Sequence, residues 1–284
     1  MKQLIFLSAF IFVHVFITGQ VPDSGYISLG SDSIFYESRG SGNTIIMIHD
    51  GLLHREVWDD QYAYFAKSYQ VIRYDRRGYG KSSPATDSYT HLEDLETLFE
   101  RLKIDSAILF AGSSGGALAI DFTLKNPQKV EGLVLFGAVV GGLPYTSHLY
   151  NRGGHLPDSF ANEMEEAMYY IHEDPYEIYF KNTGVKEKAA RLYSEYPQRI
   201  YSRQKFVRPD IPAYMRLNEI KVPALILVGE FDHPDVHAHA GAINAGIRNS
   251  KRIIIPGSGH LIPMEQPELF NEITTEFIQQ DLEL

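Results

Sequence analysis

The segment Gly112-Ser113-Ser114-Gly115-Gly116 joins an apolar run of strand character to a stretch of helical character. A G-x-S-x-G pattern at a strand-to-helix turn is typical of a nucleophilic serine, because small neighbours let the sharp turn lift the hydroxyl above a sheet. The register with glycine at both flanks makes Ser114 the predicted nucleophile. The register one residue earlier also has small flanks and keeps Ser113 as the alternative, and a glycine-rich turn without chemistry is a third interpretation.

A serine hydroxyl is a poor nucleophile until a base takes its proton, and that base needs a third group to orient it. His260 is the predicted base, because it lies on a glycine-rich loop just after an apolar run. Asp232 is the predicted orienting carboxylate, with Glu230 and Asp235 as neighbouring alternatives. The order Ser114, Asp232, His260 along the chain differs from the triad orders of chymotrypsin and subtilisin.

Short apolar runs alternate with amphipathic stretches along most of the chain, which predicts an α/β fold with a mostly parallel sheet and helices on both faces. The first two runs are joined by Gly30–Ser33 and predict a hairpin. A helix is predicted over Leu92–Leu102, whose apolar residues share one face. The eight predicted strands are Tyr26–Leu29, Ile34–Ser38, Thr44–Ile48, Val71–Tyr74, Ala107–Phe110, Leu133–Phe136, Ala224–Val228 and Ile253–Ile255.

Residues 140–220 break this alternation, because they contain no strand-like apolar run and many aromatic side chains. Helical patterns at Ser159–Tyr170, Pro175–Lys181 and Lys186–Tyr196 predict a helical cap inserted between the sixth and seventh strands. Residues 21–139 and 221–284 are then the two pieces of one α/β core.

The first 20 residues combine one charge, Lys2, with a nearly uninterrupted apolar run over Leu4–Ile17. A run of about 14 residues fits a signal peptide and is short for a membrane span. We therefore expect residues 1–20 to be a signal peptide and the protein to be exported to the periplasm or secreted, without a stable membrane span afterwards. An uncleaved N-terminal anchor is the alternative.

The composition of the chain argues against several classes of partner and site. The chain has 284 residues, 36 Asp and Glu against 26 Lys and Arg, and a net charge of −10, which argues against nucleic acid as a partner. It has no cysteine, which excludes disulfides, thiolate metal sites and a cysteine nucleophile. His233 and His237 have helical spacing, but His239 falls on another face and no H-E-x-x-H pattern exists, so no metal site is predicted.

The sequence resembles the α/β-hydrolase family over essentially all of residues 25–284. Five motifs in the family order, each at a predicted strand end, carry the resemblance. They are Ile48-His49-Asp50-Gly51-Leu52, Tyr74-Asp75-Arg76-Arg77-Gly78-Tyr79-Gly80-Lys81-Ser82, the serine turn, the acid loop ending at Asp232 and Gly259-His260. The resemblance implies the α/β-hydrolase fold and a small-molecule substrate, with no cofactor.

The resemblance also implies an oxyanion hole formed by the backbone N–H groups of Gly51 and Gly115. Asp50 departs from the usual pattern, in which glycine follows the histidine, and we expect its carboxylate to point away from the oxyanion. His49 is expected to be a hydrogen-bonding residue behind the hole. For Asp75, Arg77 and Ser82, we expect hydrogen bonds that hold their turn.

The predicted function is hydrolysis of a small carboxylic ester, thioester or lactone through an acyl-enzyme. Alternatives on the same fold are C–C bond hydrolysis, perhydrolysis and proline-iminopeptidase-like cleavage. A peptidase needs acids that bind a free amine, and Glu163, Glu165 and Glu166 are candidates, although a solvated helix face is the favoured interpretation of them. A non-catalytic small-ligand-binding protein is the alternative from another class.

Overall fold

The computed structural model describes residues 23–147, 157–173, 182–196, 205–210 and 212–282. The predicted signal peptide at residues 1–20 and the predicted helix Pro175–Lys181 lie outside these ranges. Within them, helices fall short of the length and apolar character that crossing a bilayer requires.

One eight-stranded sheet organises the protein, in the order β1-β2-β4-β3-β5-β6-β7-β8. The strands β1 and β2 form the expected antiparallel hairpin, and β2 also runs antiparallel to β4, whereas every other neighbouring pair is parallel. This confirms the mostly parallel sheet. The strands are β1 (Ser24–Leu29), β2 (Asp32–Arg39), β3 (Thr44–Ile48), β4 (Gln70–Tyr74), β5 (Ala107–Gly112), β6 (Val130–Phe136), β7 (Ala224–Gly229) and β8 (Ser250–Ile255).

Most of the helices lie in the connections between strands, and the last two follow β8. They are α1 (Asp59–Phe65), α2 (His91–Arg101), α3 (Ser114–Lys125), α4 (Glu163–His172), α5 (Thr183–Glu195), α6 (Ala213–Arg216), α7 (Pro234–Gly246), α8 (Ile262–Glu265) and α9 (Pro267–Asp281). Short 3₁₀ turns occur at Arg55–Trp58, Pro127–Lys129 and Leu217–Glu219.

The central strand β5 shows how both faces of the sheet are covered. Its side chains alternate between faces, as a pleated strand requires. Ile108 and Phe110 pack in a cluster with Trp58, and Leu109 and Ala111 join a second cluster on the opposite face. A strand buried on both faces is a continuous apolar run rather than an alternating one, which is why β5 was recognisable in the sequence.

The connection from β6 to β7 contains α4, α5 and α6. Helix α4 begins four residues after the predicted start, and α5 begins three residues before it. The side chains of Asn162 and Asn182 explain both boundaries, because each accepts a hydrogen bond from a backbone N–H in the first turn, 2.9 Å and 3.1 Å long. Val185 and Leu192 of α5 pack in the same buried cluster as Trp58.

The turn after β4 is held by buried charge. Asp75 accepts hydrogen bonds from the Arg55 backbone and guanidinium at 2.9 Å and 2.8 Å. The Ser82 hydroxyl donates to the Asp75 carbonyl at 2.6 Å. Arg77 pairs with Asp32 at 2.8 Å and also with Asp94. The predicted turn-holding roles of Asp75, Arg77 and Ser82 are confirmed.

We expect Arg77→Met to lower the free energy of unfolding by about 3–5 kcal/mol, because it leaves two buried carboxylates without their cation. Burial already raises the pKa of Asp94 to about 6 despite the opposing guanidinium. Urea unfolding at neutral pH measures the loss. Arg216→Met is the control: this half-exposed arginine pairs with Glu219 at the surface, so its loss should leave the midpoint unchanged. Equal effects of the two substitutions would contradict this account.

Candidate active site

The turn between β5 and α3 contains a strained residue, and that residue is Ser113. Its backbone angles are φ 52° and ψ −119°, in a region that residues other than glycine rarely adopt. Ser114, in contrast, is the first residue of α3. The Ser113 N–H donates to the Phe136 carbonyl at 3.0 Å, and the Ser113 carbonyl accepts from the Gly116 N–H at 2.9 Å. The sharp turn is therefore centred one residue before the serine that the sequence favoured.

The glycines of this motif allow close packing. A Cβ on Gly112 would overlap the Phe136 ring, and one on Gly115 would overlap the His49 carbonyl oxygen. A Cβ on Gly116 would lie 2.5 Å from the Cβ of Ala138. The glycines thus let the first turn of α3 sit directly against the ends of β3 and β6.

His260 and Asp232 come together as predicted from the sequence. The His260 Nδ1 lies 2.9 Å from each carboxylate oxygen of Asp232, which is buried. The two alternative acids have other partners: Glu230 accepts from the Gly257 N–H at 2.9 Å, and Asp235 accepts from the N–H and hydroxyl of Thr146. Burial lowers the pKa of His260, but the carboxylates of Asp232, Asp50 and Glu265 together, with Asp232 foremost, leave that pKa raised.

The end of β6 brings the histidine and the serine turn to one place. A Cβ on Gly137 would lie 2.8 Å from the His260 Nδ1, so the imidazole lies directly against this glycine. Phe136, the preceding residue, accepts the hydrogen bond from Ser113. The ring of His260 and the strained turn therefore contact adjacent residues at the end of β6.

The loop after β3 has a defined orientation. His49 accepts from the Arg76 N–H through Nε2 at 3.0 Å, so its Nδ1 carries the proton and donates to the Asp50 carbonyl at 2.7 Å. Burial and the Arg76 charge lower the pKa of His49 well below its usual value. His49 is thus a neutral hydrogen-bonding residue, as expected.

The Asp50 carbonyl also accepts a hydrogen bond from the Arg76 guanidinium. Because the peptide is trans, the Gly51 N–H points away from these two donors. A Cβ on Gly51 would lie 2.8 Å from the Ser114 Oγ, so the loop faces the start of α3 closely. The Asp50 carboxylate folds back and accepts from the Leu52 N–H at 2.6 Å.

Two residues at this site have no clear sequence signal for their contacts. The Arg76 Nη2 lies 3.1 Å from the Ser114 Oγ. Glu265 accepts from the Ser258 hydroxyl at 2.8 Å and from the Gly259 N–H, and so holds the loop that carries His260. Burial raises the pKa of Glu265 to about 7, although both hydrogen bonds oppose the shift.

A cavity of about 380 Å³ opens beside the serine turn, a volume suited to a small molecule. One face of α3 forms part of its wall, through Ser114, Ala117, Leu118 and Asp121. Tyr79 and Tyr89 line another part, together with Phe206 from the segment that pairs with Tyr89.

These features define a doubly wound α/β protein with a candidate site at the carboxyl ends of its parallel strands. The profile of the alpha/beta hydrolase family matches residues 45–273, and the chain belongs to this family.

Similar proteins agree with this membership. A bifunctional esterase/perhydrolase of Acinetobacter calcoaceticus is 27% identical over 278 residues, which cover 90% of this chain and 99% of the relative. A proline iminopeptidase of Saccharolobus solfataricus is 25% identical, with 91% and 93% covered. The structure of a thermophilic esterase from Thermogutta terrifontis has a TM-score of 0.74 at 24% identity, covering 92% of this chain and 100% of that chain.

We expect Glu265→Ala to lower the free energy of unfolding by about 1–3 kcal/mol, because the buried Ser258 hydroxyl and Gly259 N–H lose their acceptor. Chemical denaturation measures the change. Glu272→Ala on the exposed face of α9 is the matched control and should leave the unfolding midpoint unchanged. A Glu265→Ala midpoint equal to that of the wild type would show that the loop does not depend on this carboxylate.

Proposed function

We propose that the protein is a serine hydrolase that cleaves a small carboxylic ester, thioester or lactone through an acyl-enzyme. The observation that carries this proposal is the strained Ser113 turn beside the His260–Asp232 pair. Both lie at the end of β6, and the turn adjoins a cavity of suitable volume through Ser114. The esterases among similar proteins support the same reaction class.

Ser113 is the nucleophile in this proposal, and Ser114 is its rival. The strained conformation lifts a serine hydroxyl out of the turn, and this conformation belongs to Ser113. In favour of Ser114, its side chain lines the cavity. Its Oγ, however, accepts a hydrogen bond from Arg76, and a guanidinium cannot remove a proton. The backbone conformation therefore favours Ser113, which the sequence motif had ranked second.

Changing the nucleophile also changes the oxyanion hole. The residue after the nucleophile becomes Ser114, whose N–H at the start of α3 lacks an intrahelical acceptor. The backbone N–H groups of Ser114 and Gly51 are therefore the proposed oxyanion donors. The donor predicted from the sequence, Gly115, would apply only if Ser114 were the nucleophile. Close packing against His49 explains the glycine at 115 without a catalytic role.

The reaction then proceeds in two halves. His260 takes the proton of Ser113 as the hydroxyl oxygen attacks the carbonyl carbon, and Asp232 holds the imidazole and stabilises its charge. The two N–H donors stabilise the negative oxygen of the tetrahedral intermediate. His260 then protonates the leaving group, and water repeats the sequence on the acyl-enzyme.

Peptidase-like cleavage is a second candidate, favoured by the similarity to a proline iminopeptidase. Among the acids considered for amine binding, Glu165 accepts from the Ala161 N–H at 2.6 Å and so helps to begin α4. Turnover of prolyl p-nitroanilide, tested beside p-nitrophenyl esters, separates the two activities. Absence of labelling by a fluorophosphonate would favour a ligand-binding protein.

Two further parts of the proposal concern the rest of the chain. Helices α4 and α5 in the β6–β7 connection support a cap within residues 140–220.

The apolar N-terminus supports export, and N-terminal sequencing of the protein recovered from periplasm or medium tests it. An intact Met1 in a cytosolic fraction would contradict export.

We expect Ser113→Ala to reduce kcat on p-nitrophenyl esters by at least about 10³-fold while the fold survives, because a triad without its nucleophile retains only residual catalysis. Ser114→Ala is the matched control one residue away. It keeps the nucleophile and the backbone N–H, and should retain turnover within about tenfold. The reverse pattern would return the nucleophile to Ser114.

Activity should fall in acid as His260 is protonated, because only the neutral imidazole can act as base. The raised pKa of His260 predicts a half-maximal kcat/KM above pH 6.5 in the wild type. Asp232→Asn removes the carboxylate that raises the pKa of His260, while the burial that lowers this pKa remains. The acid limb of the pH–rate profile should therefore move to lower pH, and kcat should fall by orders of magnitude. An unshifted limb would show that His260 is not the titrating base.

A further inference from the structure

One carboxyl group in the cavity has no hydrogen-bond partner within the part of the chain that the structure describes. Asp121 is 8% exposed, and its Oδ1 is buried without a hydrogen bond among the described residues. The other buried carboxylates of the described chain each accept at least one hydrogen bond; they are Asp32, Asp50, Asp75, Asp94, Asp232, Asp235 and Glu265.

The surroundings of Asp121 do not compensate its charge. Burial raises its pKa to about 7, and among the described residues no charged group contributes to the shift. Leaving a buried acceptor unsatisfied is costly, whereas an apolar residue of similar size at this place would stabilise the fold. The internal packing of the described chain therefore provides no reason for an acid at this position.

The position of Asp121 on α3 relates it to the reaction. Ser114, Ala117, Leu118 and Asp121 have the spacing of one helix face and all line the cavity. Seven residues of helix span about 10 Å, so the carboxyl lies two turns from the serine turn. Leu92 and Val140 provide apolar wall in the same cavity. A chain attached to the reacting carbonyl would pass along an apolar wall towards this carboxyl.

We propose that Asp121 is a specificity-determining residue that binds a hydrogen-bond donor, a hydroxyl or a protonated amine, on the far end of the substrate. The substrate class is then an ester or thioester with a terminal donor about six bonds from the carbonyl carbon, or a lactone with a side chain of that kind. This assignment rests on the proposed hydrolase function and refines its substrate. A hydroxyl donates to the carboxyl in either protonation state, whereas an ammonium pairs with the ionised form.

The test compares substrates that differ at one end. p-Nitrophenyl 6-hydroxyhexanoate and p-nitrophenyl heptanoate have the same length, with a hydroxyl replaced by a methyl group. The wild type should prefer the hydroxy ester by at least about tenfold in kcat/KM, because a buried unpaired acceptor discriminates against the methyl group. p-Nitrophenyl 6-aminohexanoate forms the second arm and distinguishes an amine-binding site from a hydroxyl-binding one.

Asp121→Leu should remove this preference, with the ratio of the two kcat/KM values as the readout. Asp121→Asn keeps an acceptor, so it should retain part of the hydroxyl preference and lose any amine preference. Asp105→Asn makes the same chemical change at an exposed position outside the cavity and should leave all ratios unchanged. The unfolding midpoint of Asp121→Leu should equal or exceed that of the wild type, which a structural role would not allow.

Binding of 6-hydroxyhexanamide and heptanamide, measured by calorimetry, provides a readout that does not depend on turnover. If the wild type binds the hydroxyamide more tightly than heptanamide and Asp121→Leu abolishes this difference, the binding role of Asp121 is supported. A failure of the protein to hydrolyse any ester would reject the proposed function and leave that binding role intact. Equal substrate ratios and equal amide affinities in wild type and Asp121→Leu would overturn the role of Asp121. So would a wild-type preference for the methyl-terminated compounds.

Discussion

The strained backbone of Ser113 is the constraint on which the candidate site depends. A residue with a side chain in this conformation costs about 1–3 kcal/mol and persists only where its surroundings enforce it. Contacts with two strands and a helix hold Ser113 in this conformation. The Ser113 N–H is bonded to Phe136 on β6, its carbonyl accepts from Gly116 in the first turn of α3, and Gly115 packs against the end of β3. Strand pairing thus holds the serine in a conformation that the isolated turn would not keep.

The parallel order of the central strands brings the other residues to this turn. The loops that follow β3, β5, β6, β7 and β8 all leave the same edge of the sheet, so Gly51, Ser113, Gly137, Asp232 and His260 meet there despite their separation along the chain. Hydrogen bonds then fix the orientation of each loop. His49 and Arg76 hold the loop after β3, and Glu265 holds the loop after β8. Rigid strands bring the groups together, and buried polar contacts orient them.

Much of this arrangement could be predicted from the sequence, because each strand buried on both faces leaves a continuous apolar run and each site residue follows such a run directly. The strands β3 to β7 and the approach of Asp232 to His260 are examples. The choice between Ser113 and Ser114 was harder to predict, because both serines have small flanking residues and differ in one backbone φ angle. The contacts of Arg76, Glu265 and Asp121 could not be predicted, because their partners, or the absence of a partner, depend on packing between distant segments.

The most direct test of the account is the site of covalent attachment of a fluorophosphonate to the native protein. The phosphonylated protein is digested, and fragmentation of the peptide locates the adduct on one of the two adjacent serines. The account predicts an adduct on Ser113, with labelling lost in acid as His260 is protonated. An adduct on Ser114, or on a serine outside this turn, would contradict the central claim that the strained residue is the nucleophile.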